Sequence, residues 1–177
     1  MKLIMVLFSH CYNSMKENNS KFWIDKLGLA RHIEGGYYKQ IYVSNKQCLE
    51  HDNRNLATCI FYLLDGKDYS VFHKINGDEI WHFFIGSSLT IYMINEKNSE
   101  LKIEKLGPNL NNEEKLQLII TEGNWFAAEV NDKSSFTLVG CTVIPGFDFK
   151  NFELATKKSL LLKFPSCKNI IEKLSKE

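Results

Sequence analysis

Between Tyr37 and Ile144 the chain is written as short apolar runs broken by turn-forming pairs. The runs Tyr37–Val43, Ala57–Leu64, Ser70–Ile75, Glu79–Ile85, Leu89–Asn95, Leu101–Leu106, Leu116–Thr121, Trp125–Glu129 and Phe136–Ile144 are rich in Ile, Val, Phe, Tyr and Thr. These side chains pack well on a pleated, half-buried surface, so each run predicts a strand. Asp65-Gly66, Asn76-Gly77, Gly86-Ser87 and Gly107-Pro108 punctuate them. Asn76-Gly77 predicts a tight hairpin, because both residues tolerate positive φ. Many short strands at this spacing predict a sandwich, a jelly roll or a closed barrel.

Helical signals are confined to the two ends. Residues 20–28 predict a short helix, with Ser20 as its cap, Phe22, Trp23 and Leu27 on one face, and Gly28 at its end. A second helix is expected over Cys167–Leu174, capped by Ser166 after Pro165, with Ile170, Ile171 and Leu174 as its apolar stripe. Ile80, Trp81, Phe83, Phe84 and Ile85 run almost without interruption, so this strand is apolar on both faces. Such a strand needs an outer cover, either a second subunit in a homodimer or the C-terminal helix. No repeat or linker divides the chain. It reads as one domain over residues 17–177, preceded by an extension at 1–16 that could add a strand. Met1–Phe8 resembles a signal peptide superficially, but its apolar stretch is short and no small-residue cleavage site follows.

Composition narrows the function classes. With 22 Lys+Arg against 21 Asp+Glu in 177 residues, the formal charge is +1. No basic stripe is present of the kind that phosphate-driven nucleic-acid binding uses. The lysines between Lys157 and Lys176 alternate with apolar residues and acids, as on a solvated helix face. No segment is long enough to span a membrane. Cys11, Cys48, Cys59, Cys141 and Cys167 are odd in number and widely spaced. That argues against a disulfide framework or a CxxC zinc site, and it fits a reducing, cytoplasmic setting.

Candidate chemistry gathers at the predicted hairpin from Phe72 to Gly86. Side chains alternate across a strand, so His73 and Ile75 share one face, as do Glu79, Trp81 and Phe83. With both faces inward, His73 and Glu79 come within reach of each other. A His–carboxylate pair in a semi-apolar cavity can bind a metal or act as a general base with its orienting partner. Aromatic walls with a few convergent polar groups make a small-molecule pocket. The candidates for that lining are His32, Glu34, Tyr38, Tyr62, Trp81 and Phe126. Gly35-Gly36 follows His32 and Glu34 in a tight turn where backbone can approach closely.

The spacing of His73, Ile75, Glu79 and Gly86 is similar to the first cupin motif, with Ile75 standing where a second His belongs. More closely, the chain resembles a family of small, largely uncharacterised single-domain cupins over about residues 22–174. The matching segments are His32–Tyr38, Thr58–Leu64, His73 with Asp78–His82, Gly123–Trp125, Val139–Ala155 and Phe164-Pro165. The resemblance implies a cupin jelly-roll β-barrel with short terminal helices, similar in fold to epimerases that act on nucleotide-linked 4-keto sugars.

In the second motif of metal-binding cupins, Phe126 occupies the His position. Two of the four usual metal ligands are thus apolar, and His82 could join only through a bulge that reverses strand parity. No cofactor is firmly expected, and a divalent metal at His73 and Glu79 ranks last. The expected function is a metal-independent isomerase or epimerase of a sugar or nucleotide-sugar type compound, with His73 as base and Glu79 holding it. A non-catalytic metabolite-binding module is the alternative, and a metal-dependent oxygenase or lyase comes after both.

Overall fold

The computed structural model describes residues 19–51 and 53–176. The expected N-terminal extension, its added strand and Cys11 fall outside the described residues. Helix α1 (Ser20–Leu27) is followed by β1 (Ala30–Arg31), β2 (Tyr37–Val43), the small β3 (Gln47–Cys48) and β4 (Arg54–Asn55) pair, and β5 (Thr58–Asp65). Next come β6 (Tyr69–Ile75), β7 (Asp78–Gly86), β8 (Leu89–Asn95), β9 (Leu101–Leu106), β10 (Gln117–Ile120), β11 (Asn124–Val130), β12 (Phe136–Ile144) and β13 (Phe152–Leu154). Helices α2 (Lys157–Lys163) and α3 (Lys168–Leu174) close the chain.

Two antiparallel sheets face each other, one ordered β1-β2-β5-β12-β7-β10 and the other β13-β6-β11-β8-β9. This is the jelly roll that the pattern of short strands predicts. Between the sheets lies a core of Tyr62, Leu64, Ile75, Trp81, Ile91, Met93, Leu118, Ile120, Phe126, Ala128, Val139 and Val143. The back of the second sheet carries Phe72, Ile94, Trp125 and Ala127, and α2 and α3 cover it with Leu160, Phe164, Cys167, Ile171 and Leu174. Helix α1 covers part of the first sheet through Trp23, Ile24 and Leu27 against Leu63, Phe136 and Leu138.

The ends differ from the sequence expectation in detail. Asn19, not Ser20, caps α1 by accepting from the Phe22 amide at 2.8 Å, while Ser20 donates to Asp65. Pro165–Cys167 forms a single 3-10 turn rather than the start of the last helix, and α3 has no side-chain cap. Helix α2 is capped by Thr156 and carries its own buried Leu160. The C-terminal helices do not cover β7. Phe84 on β7 and Ile119 on β10 are half exposed or more, so burial beneath the C-terminal helix fails as the reason for the doubly apolar run.

Two irregularities position the site. The register of β11 against β6 pairs Phe126 with His73 and Ala128 with Ser70, so β6 holds one extra residue between Ser70 and His73. That bulge lets two residues three apart face the barrel interior together. The second irregularity is the β1–β2 turn, where Gly35 and Gly36 have φ of 115° and 67°. It seats directly on β6: the Val71 amide donates to the Glu34 carbonyl at 2.9 Å. A Cβ on Gly35 would stand 2.1 Å from the Tyr69 carbonyl oxygen.

Gly35→Ala should therefore cost about 3 kcal/mol or more of unfolding free energy in urea titration, since both the positive φ and the contact with backbone oppose it. Gly123→Ala, with a positive φ but open space at its Cβ, should cost only about 1–2 kcal/mol. Equal costs at the two positions would contradict the close seating of the turn on β6.

Candidate functional site

The barrel interior opens into a cavity of about 170 Å³ lined by His32, Glu34, Tyr38, Gln40, Thr58, Ile60, His73, Ile75, Glu79, Cys141, Val143, Phe147, Phe149 and Phe152. Its polar centre is Glu34, delivered by the Gly35-Gly36 turn. Glu34 Oε2 lies 3.2 Å from His73 Nε2 and 3.5 Å from His32 Nδ1. Ser70 Oγ donates to Glu34 Oε1 at 3.2 Å. The β6 bulge makes this four-residue cluster, because it turns Ser70 and His73 to the same side.

Proton positions follow from the partners. His73 Nδ1 sits 2.8 Å from the Val71 carbonyl oxygen, which can only accept, so Nδ1 carries hydrogen. In the neutral imidazole Nε2 is then a lone pair facing the Glu34 carboxyl. A lone pair and a carboxylate oxygen 3.2 Å apart would repel each other, so this contact calls for one proton on one of the two groups, which makes the pair neutral overall. Burial pushes the Glu34 carboxyl up and the His73 imidazole down. Both displacements favour the neutral acid beside the neutral imidazole. His32 Nδ1 accepts weakly from the Glu34 amide at 3.5 Å, which leaves its Nε2 as the protonated nitrogen, and burial lowers its pKa too.

Across the cavity, Glu79 is 7% exposed, and the donors beside its carboxyl are the Cys141 thiol and the Trp81 indole. Burial raises its pKa to about 7, with His73 opposing the rise and Glu34 adding to it. The Trp81 indole and the Cys141 thiol ease the rise slightly, although the Trp81 N–H is not aligned to hydrogen-bond anything. Glu79 is thus a carboxyl poised to titrate near neutrality, facing the cavity with free lone pairs.

The structure brings His32, Glu34, Tyr38, His73 and Glu79 to the cavity, as expected from the sequence. His73 and Glu79 do act on each other across the cavity, and Glu34, whose Oε2 is 3.2 Å from His73 Nε2, is a second carboxyl beside the imidazole. The structure moves three expected lining residues out. Tyr62 is buried behind the turn and donates its hydroxyl to the Gly35 carbonyl at 3.0 Å. Phe126 is fully buried against the back of His73, with ring centroids 4.0 Å apart. Trp81 packs edge-on to both Tyr62 and Phe126 within the core.

Sequence reasoning missed Gln40, Thr58, Cys141, Phe147, Phe149 and Phe152. Cys141 is set by strand parity opposite Trp81, which alternation from Glu79 could have given. Phe147 and Phe149 come from the irregular stretch after β12, where no periodicity points inward, and Phe152 opens the three-residue strand β13.

No three His, Cys, Asp or Glu side chains converge to hold a metal ion among the described residues. Ile75 lines the cavity where a metal-binding cupin has His, and Phe126 backs His73 where the other His would stand. His82 stays on the outer face of β7 with Nδ1 2.9 Å from Gln117 Nε2, since the β7 register slips only beyond Phe83. These residues do not fit the ligand set of the metal-binding cupins.

Residues 21–155 match the family described as Cupin superfamily (DUF985). The chain belongs to this family. Protein SO0799 from Shewanella oneidensis is 39% identical, with a TM-score of 0.83 over 89% of this chain and 98% of that one. A hypothetical protein from Leishmania major is 27% identical, with a TM-score of 0.86 over 90% and 100% of the two chains. Oxalate decarboxylase from Bacillus subtilis shares the fold alone, at 15% identity and a TM-score of 0.53, with 36% of its chain covered. No curated protein matches. No helix among the described residues is long and apolar enough to cross a membrane.

The raised pKa of Glu79 makes a stability prediction. Below the ordinary value of 4.5 the carboxyl is protonated in both states; above about 7 it is ionised in both, and only the folded state bears the cost of burying the charge. Stability is therefore lost as pH rises between these values. At about 1.4 kcal/mol per unit, that loss is about 2–3 kcal/mol between pH 5 and pH 8. Glu79→Gln should be more stable than the wild type by that much more at pH 8 than at pH 5. A pH-independent difference between the two proteins would contradict the assignment.

Proposed function

We propose that this cupin binds a small carbonyl-bearing organic molecule in the barrel cavity and moves a proton on it, as an isomerase or tautomerase does. The observation that carries the reading is the buried Glu34–His73 pair facing the buried Glu79 carboxyl across one cavity. Both ring nitrogens of His73 are engaged, one with Val71 and one with Glu34. The base is therefore Glu79 rather than His73, reversing the roles suggested by the sequence. A base whose pKa lies near working pH can both take and return a proton.

In this scheme the Glu79 carboxylate takes the C–H proton next to the substrate carbonyl. The C–H electron pair moves into the carbonyl group, whose oxygen becomes an enolate. His32, with its Nε2 hydrogen, and the Tyr38 hydroxyl are the lining groups that can donate to that oxygen. Glu79 then gives the proton to the former carbonyl carbon while a proton passes from the neighbouring hydroxyl to the enolate oxygen, which exchanges the carbonyl and hydroxyl positions of a hydroxycarbonyl compound. The Glu34–His73 pair is a positioning element that keeps this wall neutral, so the charge of Glu79 is the one that changes. The lining contains no Lys or Arg, which favours an unphosphorylated substrate over a nucleotide-linked one.

The test is proton exchange in D2O, followed by 1H NMR across a panel of small hydroxy- and amino-carbonyl compounds. A substrate should lose its α-proton signal, and Glu79→Gln should slow that exchange by about 10²–10⁴-fold. Full exchange in the variant would remove Glu79 from the chemistry. Saturable binding with no exchange would leave a binding module.

A further inference from the structure

Three phenylalanines stand at the cavity mouth on the segment after β12. The ring centroids of Phe147 and Phe149 lie 5.0 Å apart, those of Phe147 and Phe152 6.0 Å, and those of Phe149 and Phe152 6.2 Å. Their planes meet at 81°, 65° and 72°. The three contacts are edge to face, Phe149 also stacks on His32 with centroids 6.5 Å apart and planes 22° apart, and together the rings form an aromatic wall at the mouth. Edge-to-face packing alone gives these angles. It does not account for Phe149, which is 56% exposed at the mouth yet still lines the cavity.

Charge supplies the second, independent observation. The lining holds two buried carboxyls, Glu34 and Glu79, and no Lys or Arg. Glu34 is neutralised by the proton it shares with His73, while Glu79 has no Lys or Arg beside it and only the Cys141 thiol and the Trp81 indole as nearby donors. An anionic ligand would be repelled here, and an uncharged one would leave Glu79 as it is. A cation would pair with Glu79 and rest on the ring faces, where an aromatic quadrupole attracts positive charge within about 6 Å. Cavities for drug-sized ligands run to roughly 300–1,000 Å³, so one of about 170 Å³ fits a single head group with the rest of the molecule leaving past Phe149.

We infer that the cavity selects ligands bearing a quaternary or protonated amine, seated between the Phe147, Phe149 and Phe152 rings and the Glu79 carboxylate. This rests on the reading of the cavity as the binding site, and it narrows the substrate to amine-bearing compounds. The groups facing Glu79 are His73 from β6, Glu34 from the β1–β2 turn, and Cys141 and Trp81 from β12 and β7. Lys176 acts on His32 and Glu34 from beyond that turn, where it donates to the Ile33 carbonyl. Cation binding favours the ionised Glu79, so affinity should rise with pH through about 7.

The experiment compares choline with 3,3-dimethylbutan-1-ol, its uncharged isostere, by titration calorimetry and ligand-observed NMR at pH 8 and pH 5.5. The result expected is at least tenfold tighter binding of choline at pH 8, with the preference shrinking at pH 5.5. Phe149→Ala, at an exposed position, and Glu79→Gln should each erase the preference while the circular dichroism spectrum is kept. Equal binding of the two compounds, or a preference unchanged in both variants, would overturn the inference. Small neutral hydroxycarbonyl compounds run in parallel separate the two readings. If they bind and choline does not, the cation assignment fails and the binding cavity stands. If neither class binds and no His32 or His73 resonance moves, both fail.

Discussion

Burying a carboxyl among aromatic rings is costly unless hydrogen bonds or a shared proton replace the water it loses. The arrangement around Glu34 meets that requirement and shapes much of the surrounding structure. Its carboxyl receives a hydrogen bond from Ser70 and shares a proton with His73, while its main-chain carbonyl accepts from Val71. All three partners sit on β6, and they converge only because that strand bulges. The turn that brings Glu34 there depends on Gly35, which has no room for a side chain, on the Tyr62 hydroxyl beneath it, and on Asp68, which accepts from the Gly36 amide.

The electrostatics of the cavity follow from the same contact. Because Glu34 and His73 hold one proton between them, their wall stays neutral overall, and Glu79 is the cavity carboxyl whose pKa is lifted to about 7. Burial outweighs the weak donors beside it. The functional reading and the ligand class both derive from that separation, one neutral pair and one titrating carboxyl. The departures at Ile75 and Phe126 serve it as well. Ile75 keeps the wall apolar beside His73, and Phe126 packs against the imidazole from behind.

Much of the fold was legible in the sequence. Alternation and turn pairs place the central strands within a residue or two, and parity puts His73, Ile75 and Glu79 inside. What could not be read was set by irregular backbone. A β-bulge leaves no mark in hydrophobic periodicity, so the Glu34–His73 contact was hidden, while the nearness of His73 to Glu79 could be read from the hairpin. Tyr62, Trp81 and Phe126 show the complementary error: parity shows that a ring points inward but not whether it reaches the cavity or stops in the core. The mouth rings Phe147 and Phe149 lie on a segment with neither period, and only the folded chain brings Phe149 over His32.

The shared proton is tested most directly by 15N NMR of the His73 imidazole. At pH 7 the account predicts a neutral ring with hydrogen on Nδ1 and an unprotonated Nε2, persisting well below the ordinary histidine range. A ring protonated on Nε2 alone, or an imidazolium at neutral pH, would contradict it.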